Sequence, residues 1–242
     1  MRALATSAER LRRRELLRQA GVYLVTEESL SAGRRSEQIV EAALESGVRV
    51  IQVREKNGSA GRALEIALAV RRLTRRYDAL LIVNDRIDIA LAAEADGIHL
   101  GQDDLPLATA RRLVGESALI GLSITEAAQM DGSDAVLADC LGVGAVFPTG
   151  SKTDATLTGL ALLADVRAAE AADHAASAAW RPPIVAIGGI DATNAGAAIR
   201  AGADLVAVIS AIAAAPDPGR AAAELLAAVR VARAALPAGI AR

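Results

Sequence analysis

Residues 80–104 read LLIVNDRIDIALAAEADGIHLGQDD, and the fold follows from how this stretch divides. Leu80 to Val83 is a short apolar run that suits one buried strand, and it stops at Asn84 and Asp85. From Arg86 to Ala93 the period changes: Ile87, Ala90 and Leu91, with Glu94 beyond, fall at helical spacing. A second short run, Gly97 to Leu100, ends in Gly101-Gln102-Asp103-Asp104. Strand, helix and strand in so short a span make a βαβ unit, whose strands are parallel neighbours. Both strands therefore finish on one edge of the sheet, each followed by carboxylates. Taken singly, Asp85 or Asp104 reads as the N-cap of the next helix. Two such ends side by side also make a seat for a divalent cation, and all-oxygen ligands suit Mg²⁺.

The same unit recurs along the chain. Apolar runs lie at Val22–Val25, Val48–Val53, Leu80–Val83, Gly97–Leu100, Leu119–Leu122, Leu141–Phe147, Ile184–Ile187 and Leu205–Ile209. Ala/Leu/Arg-rich segments of helical period separate them, such as Ser59–Arg76 and Ala192–Ala201. Runs without polar alternation are what strands buried on both faces look like. Eight β-α units with short connections predict an α/β fold, a single (β/α)₈ TIM barrel spanning residues 1–242. A doubly wound open sheet is the competitor, but no GxGxxG follows the first strand. Residues 1–20 form an extension in which Leu4, Leu11 and Leu17 alternate with Arg10, Arg12, Arg13, Arg14, Arg18, Glu9 and Glu15. That mixture reads as a solvated helix lying on the fold. Ala161–Trp180 is longer than a barrel helix needs and is expected to hold a helix and a loose loop around Asp173-His174.

Composition narrows the class. The chain has 242 residues, 52% hydrophobic and 23% charged, which suits a globular protein with a sizeable core. A net charge of −2 gives no sign of a nucleic-acid or membrane partner. One cysteine, Cys140, excludes an internal disulfide framework and points to a reducing cytoplasm. No apolar run reaches transmembrane length.

In such a barrel, function sits at the C-terminal ends of the strands. The second strand ends Gln52-Val53-Arg54-Glu55-Lys56, and alternation puts Gln52, Arg54 and Lys56 on one face. Two cations there call for an anion, either a structural carboxylate or a ligand. The fifth strand ends Gly121-Leu122-Ser123 with a hydroxyl at the mouth. The sixth runs on through Gly142 to Pro148-Thr149-Gly150-Ser151-Lys152, whose small and hydroxyl residues let backbone N–H groups approach an anion. The seventh ends Gly188-Gly189 and the eighth Ile209-Ser210, where such barrels hold a phosphate. A cation seat, three basic side chains and a separate phosphate cup suit a pyrophosphate leaving group and a second, phosphorylated substrate.

These motifs also resemble a family. QVREK (52–56), VNDR (83–86), GIHLGQDD (97–104), GLS (121–123), GVGAVFPTGSK (142–152), AIGGI (186–190) and the Ile209-Ser210 pair are similar, in order and spacing, to those of thiamine phosphate synthases. The resemblance implies joining of 4-amino-2-methyl-5-hydroxymethylpyrimidine pyrophosphate to a thiazole phosphate, plain or carboxylated, with release of pyrophosphate. It implies Asp85 and Asp104 as Mg²⁺ ligands. It implies that Gln52, Val53, Arg54, Glu55, Lys56, Asn84, Ser123 and Lys152 contact the pyrimidine pyrophosphate. Thr149, Gly150, Ser151, Gly189, Ile209 and Ser210 would hold the thiazole phosphate. Arg54, Lys56, Lys152 and Ser123 would then be the catalytic groups, acting on a dissociative reaction that needs no protein nucleophile. The chain departs from the pattern at Thr125, where many members carry His, and at Cys140 and Ser151. Thr125 also weakens the nearest rival, a thiazole tautomerase of the same fold that looks to rely on that histidine.

Overall fold

The computed structural model describes residues 2–56, 58–131, 135, 137–150, 157–176 and 180–237. Eight parallel strands close into a barrel in sequence order: β1 (Val22–Val25), β2 (Val50–Val53), β3 (Leu80–Asn84), β4 (Gly97–Leu100), β5 (Leu119–Ile124), β6 (Cys140–Val143), β7 (Ile184–Ile187) and β8 (Leu205–Val208). Pairing of Tyr23 with Ala207 joins β1 to β8 and leaves no edge. Around the strands lie α1 (Arg2–Gln19), α2 (Ser36–Glu45), α3 (Ala60–Arg76), α4 (Ile87–Ala92), α5 (Leu107–Val114), α6 (Gly159–Ala176), α7 (Ala195–Arg200), α8 (Ser210–Ala213) and α9 (Pro218–Ala234).

The expected (β/α)₈ barrel is therefore the fold, and the strand alternation divides its core. Leu24, Ile51, Leu81, Ile98 and Leu141 point outward and pack under the helices. Tyr23, Val50, Leu80, Leu119, Val185 and Leu205 point inward and fill the barrel. Each fully buried Leu or Ile contributes roughly 1.5–3 kcal/mol, so continuous apolar runs are what both faces require. Some ends differ from the sequence expectation. The second strand begins at Val50 rather than Val48, and the fifth extends to Ile124. The sixth stops at Val143, because at Gly144 the chain passes the seventh strand so closely that a Cβ would lie 2.0 Å from the Ile187 carbonyl oxygen.

Two expectations for the additions to the barrel need correction. The stretch expected as a loose loop at Asp173-His174 is helical backbone, since α6 continues to Ala176. Alanine is the strongest helix former and no Gly or Pro interrupts it before Pro182. The N-terminal helix, expected to lie solvated on the fold, instead closes the bottom of the barrel: Leu17 and Ala20 belong to the interior cluster, with Leu16 packed against it.

Its arginines are anchored by carboxylates at the N-terminal ends of alternate strands. Asp96, Asp139 and Asp204 each precede an even-numbered strand, and each accepts a backbone N–H from the start of the strand before it: Leu81, Ile120 and Ile184. Asp139 is fully buried and also receives Arg10, Arg14 and Arg111 at 3.0, 2.7 and 2.9 Å. Arg14 stacks over Trp180 at 4.6 Å, and the Trp180 indole N–H donates to the Asp139 carbonyl at 3.2 Å. The N-terminal helix and the residues just before β7 thus share one anchor. Asp139→Ala would leave three part-buried cations without this buried carboxylate, so it should lower unfolding free energy by about 3–5 kcal/mol. Urea denaturation measures this; a loss below ~1 kcal/mol would mean that water replaces the carboxylate.

Candidate active site

The opposite rim collects many of the sequence-selected side chains. β3 and β4 run in register, Asn84 beside His99, so the segments after them are neighbours. Asp85 has φ of 57°, a left-handed conformation that Asp tolerates better than most residues. Its N–H donates to the His99 carbonyl at 2.9 Å, continuing the ladder past the strand end. Asp104 folds back so that its Oδ2 accepts the Gly101 N–H at 2.7 Å. The two carboxyl groups are near enough to interact: burial, then the Asp104 charge, pushes Asp85 up, against the pull of Lys56. Lys56 Nζ stands 3.5 Å from Asp85 Oδ2. Two apposed carboxylates repel unless a proton or a cation lies between them. Their oxygens fit Mg²⁺, which takes one or two carboxylates and completes its shell from water and phosphate oxygens.

The second strand end is arranged differently from a simple row of cations. Gln52 points into the barrel and donates from Nε2 to the Tyr23 hydroxyl at 2.8 Å. Val53 points outward into the helix-covered core, so it faces the mouth only through its backbone. Arg54 pairs with Glu27, a buried carboxylate just past β1. Glu28 next to it holds Arg62 at 2.9 Å. Glu55 is half-buried with its Oε1 covered and unbonded among the described residues. Burial, reinforced by the charges of Glu27 and Glu28, pushes it up to about 7.

That shift makes stability depend on pH. Between an unfolded value near 4.5 and the folded value of about 7, the folded state keeps a proton that the unfolded chain releases. Stability should fall as pH rises through this window and stay reduced above it. Glu55→Gln should therefore raise the melting temperature at pH 8 and leave it unchanged near pH 4. Equal shifts at both pH values would show that packing, not ionisation, is responsible.

Inside the barrel His99 reaches across two strands. Its Nε2 lies 3.0 Å from the Ser123 Oγ. Room for the ring comes from Gly121 and Gly142, where a Cβ would lie 2.4 Å and 2.9 Å from ring atoms. Burial holds the imidazole down at about 4, against the attraction of Asp104. It is neutral at pH 7, a packed side chain hydrogen-bonded through Nε2. Gln102 fixes the same corner by donating to the Ser123 carbonyl at 2.7 Å. Thr125 is bound to Gln129, whose Nε2 donates to the threonine Oγ1 at 3.1 Å.

On the far side of the rim, Gly188 and Gly189 adopt φ of 102° and 61°. A side chain on Gly189 would meet the Pro148 carbonyl oxygen at 2.4 Å, so only glycine lets these loops close on each other. Asn194 donates to the Gly189 carbonyl at 2.8 Å. Ile209 is partly buried above the barrel interior, and exposed Ser210 opens α8. Thr149 and Gly150 lie in the loop after β6. Ser151 and Lys152 fall outside the described residues. The mouth thus brings the carboxylate pair and Lys56 to one side and the glycine turn with Ser210 to another.

Sequence reading missed Glu27, Tyr23 and Gln102. Glu27 carries the signal that singled out Asp85, a carboxylate just past a buried apolar run, and Val22–Val25 precedes it.

Residues 22–212 match the family model described as thiamine monophosphate synthase. A thiamine-phosphate synthase of Haloarcula marismortui is 48% identical over 214 residues, covering 88% of this chain and 98% of that protein. One from Chloroflexus aurantiacus is 47% identical over 216 residues, covering 87% and 93%. The structure of a thiamine phosphate pyrophosphorylase from Pyrococcus furiosus superposes with a TM-score of 0.76 at 36% identity, over 92% of this chain and 98% of the other.

Proposed function

The chain belongs to the thiamine monophosphate synthase family and is a transferase of thiamine biosynthesis; from that premise we propose that it joins 4-amino-2-methyl-5-hydroxymethylpyrimidine pyrophosphate to a thiazole phosphate. The observation that carries this reading is the apposition of Asp85 and Asp104 beside Lys56, on the same rim as the separate cup at Gly189 and Ser210. One group of residues suits a pyrophosphate and its cation. The other suits a monophosphate.

In this reading Asp85 and Asp104 hold Mg²⁺, which when bound supplies charge neutralisation to the pyrophosphate oxygens. Lys56, Arg54 and Lys152 donate hydrogen bonds to the departing pyrophosphate, and their benefit grows as its charge grows. The C–O bond to the pyrimidine methylene breaks first, and the pyrimidine amino group stabilises the resulting cation. The thiazole nitrogen then supplies its electron pair to the methylene carbon. Asn84 and Ser123 orient the pyrimidine, with Ser123 braced by neutral His99. Gln52 lies deeper, beneath the ring. Thr149, Gly150, Ser151, Gly189, Ile209 and Ser210 retain the thiazole phosphate, fixing the nitrogen opposite the methylene carbon, so that proximity replaces a bimolecular encounter.

The test is product identification with the purified chain and both substrates. One joined phosphate ester per pyrophosphate released supports the proposal. Isomerised thiazole phosphate without pyrophosphate release would instead indicate the tautomerase chemistry, for which Thr125, tied to Gln129, offers no imidazole.

A further inference from the structure

The ion pair between strand ends β1 and β2 carries an inference that rests on the reading of Arg54 above. Glu27 is among the few buried charged residues, with its side chain 4% exposed. Burying a carboxylate is costly unless it is paired and hydrogen-bonded. Its partners are the Arg54 guanidinium at Oε2 and the Ser29 hydroxyl, which donates to Oε1 at 3.1 Å. The backbones are tied as well. Thr26 N–H donates to the Gln52 carbonyl at 2.8 Å, and Arg54 N–H donates to the Thr26 Oγ1 at 3.3 Å. These bonds carry the β1–β2 ladder beyond Val25 and Gln52 up to the rim.

Arginine has five donors in a rigid fork on a flexible stem. Fixing one arm of the fork on a buried carboxylate removes the stem's freedom before any ligand arrives and leaves the other donors available. We propose that Glu27 is a positioning residue, whose carboxylate holds the Arg54 guanidinium in place for the pyrophosphate of the bound substrate. A pair that only staples β1 to β2 would matter to stability and not to the rate of a saturated enzyme, and this difference is measurable.

The experiment is a double-mutant cycle read by single-turnover rate at saturating substrates, with melting temperature alongside. Glu27→Gln keeps the shape and removes the charge; it should slow the saturated rate by about 10–100-fold, as a small misplacement of a reacting group does. The double variant Glu27→Gln/Arg54→Ala should be no slower than Arg54→Ala alone, because Glu27 acts through Arg54. Ser29→Ala, at an exposed position, loosens the carboxylate gently and should give a smaller loss in the same direction. It carries the same cycle if Glu27→Gln does not fold. A saturated rate unchanged in Glu27→Gln, or unchanged in Ser29→Ala where that variant carries the cycle, overturns the inference while leaving the site reading intact. Losses that multiply in the double variant overturn it too. Arg54→Ala at the parental rate would remove both.

Discussion

Asp85→Asn and Asp104→Asn should each reduce turnover by roughly 10³-fold, the equivalent of about 4 kcal/mol of transition-state stabilisation. Asparagine is the informative replacement at both positions. It tolerates the left-handed backbone that Asp85 adopts at φ 57°, where alanine adds strain of about 1 kcal/mol or more. At position 104 its side-chain oxygen can still accept the Gly101 N–H. Both substitutions relieve the repulsion between the paired carboxylates, so the folded state should be no less stable than the parent. Activity and stability are therefore expected to move apart. Circular dichroism melts beside Mg²⁺-dependent rates measure both. A rate within a few-fold of the parent for either variant would remove the cation from this position.

The second large effect separates the two anion sites. Lys152→Ala should lower the single-turnover rate by about 10²–10³-fold, the loss seen when one preorganised donor to developing charge is removed. In the proposed reaction, the phosphate assigned to the Gly189 and Ser210 cup keeps its charge throughout. Ser210→Ala should therefore raise KM for the thiazole phosphate and leave the saturated rate nearly unchanged, since it removes binding that is uniform between ground and transition states. Single-turnover rates are needed because slow product release would mask a chemical step. Equal falls in that rate for both variants, at saturating substrates, would show one continuous site instead of two.

Much of the fold was legible because parallel strands buried on both faces leave an unambiguous trace. Val22–Val25, Gly97–Leu100 and Ile184–Ile187 are strands over their full expected length. What periodicity could not show was where chain contacts end a strand, as at Gly144 against Ile187. The bottom of the barrel was also hidden. The arginines of the N-terminal helix look solvated in sequence, yet Arg10 and Arg14 meet Asp139 across the length of half the chain. A trace was available in Ala95-Asp96, Ala138-Asp139 and Ala203-Asp204, each just before a strand. At the mouth, the juxtaposition of Asp85 with Asp104 followed from the parallel βαβ unit alone. The pairing of Arg54 with Glu27 did not, because it depends on which neighbour β2 meets in the closed barrel. A row of cations on one strand says that an anion is near, and not whether the chain or a ligand provides it.

The most direct test of the account is the single-turnover rate of the purified chain with both substrates, first in a chelator and then as Mg²⁺ is restored. The rate should be near zero in chelator and recover with Mg²⁺, with one pyrophosphate released for each pyrimidine–thiazole product formed. Turnover that persists in chelator, or product that appears without pyrophosphate, would contradict it.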